Sequence, residues 1–158
     1  KDRPVSSLMF AKFSPDASKV AYVSGHNIYV EDLNDGSVKA LTTNGTLRLI
    51  NGTFDWAYEE EFKCRDGFRW SPDGKSIAYW QIDARKIRDF LMINNTDSIY
   101  SYNIPVEYPK VGEDPSGCKI GVVDIATAQT KWLEVPGSQI QNYIPRMDWV
   151  PNSNQSII

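Results

Sequence analysis

Three times along the chain, an aromatic residue runs into a proline turn and then into a short apolar strand. Phe10-Ala11-Lys12-Phe13-Ser14-Pro15-Asp16 leads into Lys19-Val20-Ala21-Tyr22-Val23, and Phe68-Arg69-Trp70-Ser71-Pro72-Asp73-Gly74 leads into Lys75-Ser76-Ile77-Ala78-Tyr79-Trp80. Arg146-Met147-Asp148-Trp149-Val150-Pro151-Asn152 leads into Gln155-Ser156-Ile157-Ile158. Proline presets φ for the turn, and Asp, Asn or Gly accepts the conformation that follows. Further strands are expected at Asn27-Ile28-Tyr29-Val30-Glu31 and Val38-Lys39-Ala40-Leu41, joined by a turn at Asn34-Asp35-Gly36. Lys119-Ile120-Gly121-Val122-Val123-Asp124 and Thr130-Lys131-Trp132-Leu133-Glu134 repeat that arrangement around Ala126-Thr127-Ala128.

Strand, turn, strand is the grammar of a propeller blade. A β-sandwich also gives short strands with Gly and Pro turns, but a unit that always opens a strand pair favours the propeller. The expected fold is therefore all-β, a partial β-propeller of about two to three blades. A blade takes roughly 40 to 50 residues and a ring needs at least about four. The chain should hold two full blades and the start of a third, and its end inside a strand at Ile157-Ile158 reads as a piece of a larger protein.

Two segments break the blade rhythm. Residues 83–117 form a long excursion with Phe90-Leu91-Met92-Ile93, Ile99-Tyr100-Ser101-Tyr102 and Pro105-Val106-Glu107-Tyr108-Pro109-Lys110. Its alternating aromatics predict an extended hairpin, and excursions of such length inside a domain are usually functional. Residues 43–66 carry Asp55-Trp56-Ala57-Tyr58-Glu59-Glu60-Glu61-Phe62. Thr53 or Asp55 can cap a short helix there, with Trp56 and Phe62 on its inner side.

Successive residues on a helix are about 100° apart, so three adjacent glutamates cannot all face one way. One or two can face a cavity while another meets solvent. Neighbouring carboxylates repel, which favours a bound cation between them. A primary ammonium has three donors in a compact head and can bridge both. The same residues also fit a solvated helix face. Calcium is a weaker reading, because no Asp-x-Asp-x-Asp-Gly loop is present. A glycosidase pair is weaker again, because adjacency in sequence does not set the gap between carboxyls across a sugar.

The formal net charge is −3 with both signs interspersed, leaving no basic stripe for nucleic acid. No apolar run approaches the roughly 18 to 20 residues that span a bilayer, and Lys1-Asp2-Arg3-Pro4 does not read as a signal peptide. Cys64 and Cys118 with a lone His26, expected in an exposed turn, are too few for a zinc site. No metal or other cofactor is expected. The two cysteines fit either a disulfide or a pair of buried thiols. Asn44, Asn51, Asn94 and Asn154 open Asn-x-Ser/Thr sequons, which matter only in a glycosylating host.

Asp55-Trp56-x-Tyr58-Glu59-Glu60-Glu61, the Trp70-Ser71-Pro72-Asp73-Gly74-Lys75-x-Ile77-Ala78-Tyr79 unit and Tyr108-Pro109-Lys110-x-Gly112 together resemble the dipeptidyl peptidase IV family, within the prolyl oligopeptidase superfamily. Order and spacing match over most of residues 8–125. Ala57 stands where a larger aliphatic is common, and the wording around Arg65-Asp66-Gly67 looks more like bacterial members.

The resemblance implies an eight-bladed propeller covering an α/β-hydrolase domain with a Ser, Asp and His triad. Such a serine peptidase removes dipeptides from free N-termini, with proline or alanine second. It places residues 1–158 in the N-terminal propeller. It makes Glu60 and Glu61 the ligands of the substrate α-ammonium, with Asp55, Trp56, Tyr58 and Glu59 in support. The excursion becomes a projecting arm used in homodimerisation.

No Gly-x-Ser-x-Gly elbow and no second histidine occur, so no catalytic residue is assigned. The family's substrate-binding arginine lies upstream of the matched segment. By itself the chain should be the inactive specificity part of the hydrolase, partnered by peptides and by the catalytic domain of its own polypeptide. The resemblance also implies a periplasmic or secreted location. Two alternatives stay open: a binding or modulatory module from a relative without its nucleophile, and an unrelated propeller-type module whose glutamates are surface residues.

Overall fold

In the computed structural model, residues 8–153 and 155–157 are described; the first four residues and the Asn154 sequon lie outside them. The first sheet is antiparallel in the order β1 (Met9–Phe13), β2 (Lys19–Ser24), β3 (Asn27–Asp32) and β4 (Val38–Ala40). The chain continues through β5 (Leu49–Asn51), the helix α1 (Trp56–Phe62), β6 (Phe68–Trp70) and β7 (Ser76–Asp83). An excursion of β8 (Asp89–Asn94) and β9 (Tyr102–Glu107) precedes β10 (Gly117–Asp124) and β11 (Thr130–Trp132). A short pair, β12 (Asp148–Trp149) and β13 (Ser156–Ile157), ends the described chain.

The second sheet runs β11-β10-β7-β5, with β6 also on β7. Both short strands use the same edge of β7. Phe68 to Trp70 pair with Tyr79 to Ile77, and Asn51 to Leu49 pair with Gln81 to Asp83. The first strand of this blade is thus interrupted, and α1 lies in the interruption. β5, three residues long, is an element that the repeat pattern did not reveal.

The Ser-Pro-Asp units are self-contained turns. Ser14 Oγ donates to Asp16 Oδ1 at 2.6 Å and accepts from the Lys19 N–H at 3.0 Å. Ser71 does the same with Asp73 at 2.7 Å and the Ser76 N–H at 2.9 Å. In the third unit Val150 has no hydroxyl, yet its N–H still donates to the Gln155 carbonyl at 2.7 Å. Hydrogen bonds from Ser14 and then Ser18 hold the exposed Asp16 carboxyl down, from 3.8 to about 2. That lowered value stabilises the fold above the ordinary carboxylate range and is lost as pH falls from about 4 toward 2. Asp16→Asn is therefore expected to lose less stability than the unsubstituted protein between those pH values in acid-unfolding curves.

Successive blades are joined by indole hydrogen bonds in equivalent places. Trp70 Nε1 donates to the Lys12 carbonyl at 3.0 Å, and Trp149 Nε1 donates to the Arg69 carbonyl at 3.1 Å. Each acceptor residue precedes the aromatic of its own unit, so the repeated tryptophan reads the preceding blade.

The second sheet has a core on each face. Val23, Ile28, Phe68, Ile77 and Tyr79 pack in a cluster with the first sheet, and Phe54, Tyr58, Trp80, Ile82 and Met147 pack on the other side. Consequently β7 is buried at every residue from Ile77 to Ile82. The sheets do not close into a ring. This is the expected partial propeller, with one short helix and a hairpin. The hairpin pairs Asp89 to Asn94 with Glu107 to Tyr102, and carries large exposed apolar side chains such as Ile93 and Ile99.

Candidate functional site

The acidic helix is built from a pinch in the blade's first strand. Where β5 ends, the Gly52 N–H donates to the Trp80 carbonyl at 3.0 Å; where β6 begins, the Trp80 N–H donates to the Gly67 carbonyl at 3.0 Å. The Gly67 N–H closes the neck on the Gly52 carbonyl at 2.9 Å. Gly52 has φ +76°, and a Cβ on Gly67 would sit 2.7 Å from the Gly52 carbonyl carbon. Both glycines are needed for chain ends to approach this closely.

From this neck Asp55 caps α1. Its Oδ1 accepts the Tyr58 N–H at 3.1 Å, and its Oδ2 accepts the Ser116 hydroxyl. With both oxygens engaged and the side chain buried, Asp55 holds structure. Lys63 ends the helix in the left-handed region at φ 58°, and the Cys64 N–H returns to the Tyr58 carbonyl at 3.1 Å.

The inner side of α1 differs from the expected one. Ala57 and Tyr58 are buried, Phe62 is half-buried, and Trp56 is 39% exposed. Tyr58 reaches the third blade, where its hydroxyl accepts the Ile144 N–H at 3.1 Å. Its ring stacks on Phe54 at 5.5 Å and meets Tyr143 at 5.8 Å. Burial raises the Tyr58 pKa well above that of an ordinary phenol, so it stays a neutral anchor. Trp56 instead stands edge-on to Tyr108 at 4.5 Å. A seven-residue helix is turned by such tertiary partners more than by its own pattern.

With Tyr58 inward, Glu59 is half-buried and Glu60 and Glu61 are exposed. Among the described residues neither Glu60 nor Glu61 takes an ion pair, and Lys63 Nζ donates to the Glu60 carbonyl oxygen, at 2.7 Å, not to its carboxylate. The pair therefore presents two adjacent free carboxylates on a capped, anchored helix. Two cavities lie nearby, one of about 920 Å3 at the base of the hairpin and one of about 400 Å3 against Phe54, Phe62 and Trp80. The glutamates line neither.

Both cysteines are free, and the expected pair of buried thiols holds only for Cys118; Cys64 is half-buried. The Cys64 thiol meets the Pro145 carbonyl at 3.5 Å, while Cys118 packs in the buried cluster with Tyr58. Burial pushes the Cys118 thiol up to about 12. His26 lies in the turn before β3 but is half-buried, and that burial lowers its pKa. Ser116 and Tyr108 are site neighbours that the residue pattern did not mark; only the Tyr-Pro-Lys-x-Gly wording pointed near them.

A family model described as the dipeptidyl peptidase IV (DPP IV) N-terminal region matches residues 2–158. Dipeptidyl aminopeptidase B of Saccharomyces cerevisiae is 28% identical over 156 residues, covering 94% of this chain and 19% of that protein. Dipeptidyl peptidase 4 of Trichophyton tonsurans is 28% identical over 157 residues, covering 95% of this chain and 20% of that protein. The crystal structure of Porphyromonas gingivalis dipeptidyl peptidase 4 superposes with a TM-score of 0.85 at 31% identity, over 92% of this chain and 21% of that one. The chain thus spans about a fifth of the length of the relatives it matches. With the family model matching residues 2–158 and the fold superposing over nearly all of the chain, this chain belongs to the dipeptidyl peptidase IV family, in the N-terminal region of its members.

Proposed function

We propose that the chain is the substrate-recognition part of a serine exopeptidase that removes X-Pro and X-Ala dipeptides, with Glu60 and Glu61 binding the α-ammonium of the peptide. The observation that carries this reading is the pair of exposed carboxylates that take no ion pair among the described residues, on a helix anchored through Asp55 and Tyr58. An ammonium offers three donors and can satisfy both acids at once. Each charge-assisted bond contributes roughly 1.5 to 3 kcal/mol when shielded from water. Holding the N-terminus at a fixed distance from a nucleophile limits cleavage to the second peptide bond.

In this reading residues 1–158 belong to the N-terminal propeller, and the Ser-Asp-His triad sits in a hydrolase domain elsewhere in the full-length protein. The exposed apolar hairpin is the arm of a homodimer, and the protein works in the periplasm or outside the cell. The names of the relatives, dipeptidyl aminopeptidase B and dipeptidyl peptidase 4, support the activity.

The test compares Gly-Pro-p-nitroanilide with its N-acetylated form on the full-length protein. Acetylation removes the charge and is expected to lower kcat/KM by roughly 100-fold. Equal hydrolysis of both would remove the ammonium role. Hydrolysis of neither would point to a relative without peptidase activity.

A further inference from the structure

The segment between β9 and β10 touches the first turn of α1 at two points. Tyr108 meets the Trp56 ring at 4.5 Å, and the buried Ser116 donates its hydroxyl to Asp55 Oδ2. Asp55 is thereby held from both sides, one oxygen on the helix N–H of Tyr58 and the other on Ser116. The same segment is tied to the root of the hairpin. Tyr108 lies 6.0 Å from the Phe90 ring on β8, and Arg48 pairs with Asp89 on β8 and with Glu107 on β9.

An isolated helix this short is not stable in water, so its direction is set by its contacts. Tyr58, reaching Ile144, fixes one point of α1. A single anchor leaves rotation about itself; a second, at the N-terminal turn, removes it.

We propose that Tyr108 and Ser116 are positioning residues. They set the orientation of α1, and with it the direction of Glu60 and Glu61, and they couple that direction to the position of the hairpin root. The proposal rests on the ammonium-binding reading of the glutamates.

The test uses the full-length protein with Ser116→Ala and Tyr108→Ala, and with Ser116→Thr and Tyr108→Phe as conservative variants. Both alanine variants are expected to raise KM for Gly-Pro-p-nitroanilide about tenfold with kcat within about twofold. Amide hydrogen exchange across residues 56–62 should quicken about tenfold while β7 and β10 keep their protection. The conservative variants should restore both readouts. An unchanged KM with unchanged exchange overturns the proposal. So does a fall in kcat with faster exchange throughout the sheets, which marks a general loss of structure. A Glu60→Gln, Glu61→Gln double variant that leaves KM unchanged overturns the ammonium reading instead, and exchange across residues 56–62 then decides the positioning role alone.

Discussion

Glu60→Gln and Glu61→Gln, each made in the full-length protein, are expected to lower kcat/KM for Gly-Pro-p-nitroanilide by roughly 10- to 150-fold. Glutamine keeps the size and an acceptor oxygen but removes the charge, so the loss is that of one charge-assisted bond, about 1.5 to 3 kcal/mol. Because both acids would hold one ammonium, the double variant should lose less than the product of the single effects. Glu59→Gln serves as the comparison. Glu59 is half-buried where Glu60 and Glu61 are exposed, and a change within about twofold is expected. Equal losses at all three positions would mean that the acidic run acts as diffuse charge rather than as a two-point clamp.

Gly67→Ala is expected to disrupt the loop that carries α1. Its new Cβ would lie 2.7 Å from the Gly52 carbonyl carbon and 2.9 Å from both the Gly52 oxygen and the Thr53 nitrogen, all of them backbone atoms that cannot swing aside. Relief requires opening the neck that closes the loop carrying α1. Forced overpacking of this kind costs about 3 kcal/mol. The melting temperature of the full-length protein should drop and α1 should lose hydrogen-exchange protection. Gly117→Ala is the control, since its Cβ would meet the Asp83 Cβ at an ordinary 3.6 Å. If Gly67→Ala melts and exchanges like Gly117→Ala, the neck is not what holds the helix.

The blades were legible in the sequence because their turns are local chemistry. Ser14 with Asp16, and Ser71 with Asp73, complete their hydrogen bonds within two residues. The hairpin was legible for the same reason, from alternating residues close in the chain. β5 was hidden, because three residues carry no period and their partner strand ends at Asp83, far along the chain. The exposure of Trp56 was hidden too. Which face of α1 turns inward depends on Ile144 and Ser116, which lie 86 and 61 residues from their partners Tyr58 and Asp55. Asp55 as the cap could be read from its residue type and place; the role of Glu60 and Glu61 could be reached only through the family resemblance, since an acidic run on a helix by itself fits a solvated face equally well.

The most direct measurement is a crystal structure of the full-length protein with a slowly hydrolysed X-Pro dipeptide amide bound. The substrate ammonium should lie about 3 Å from carboxylate oxygens of both Glu60 and Glu61, with Asp55 still bonded to Ser116. An ammonium held elsewhere, with both carboxylates facing solvent, would contradict the proposed recognition site.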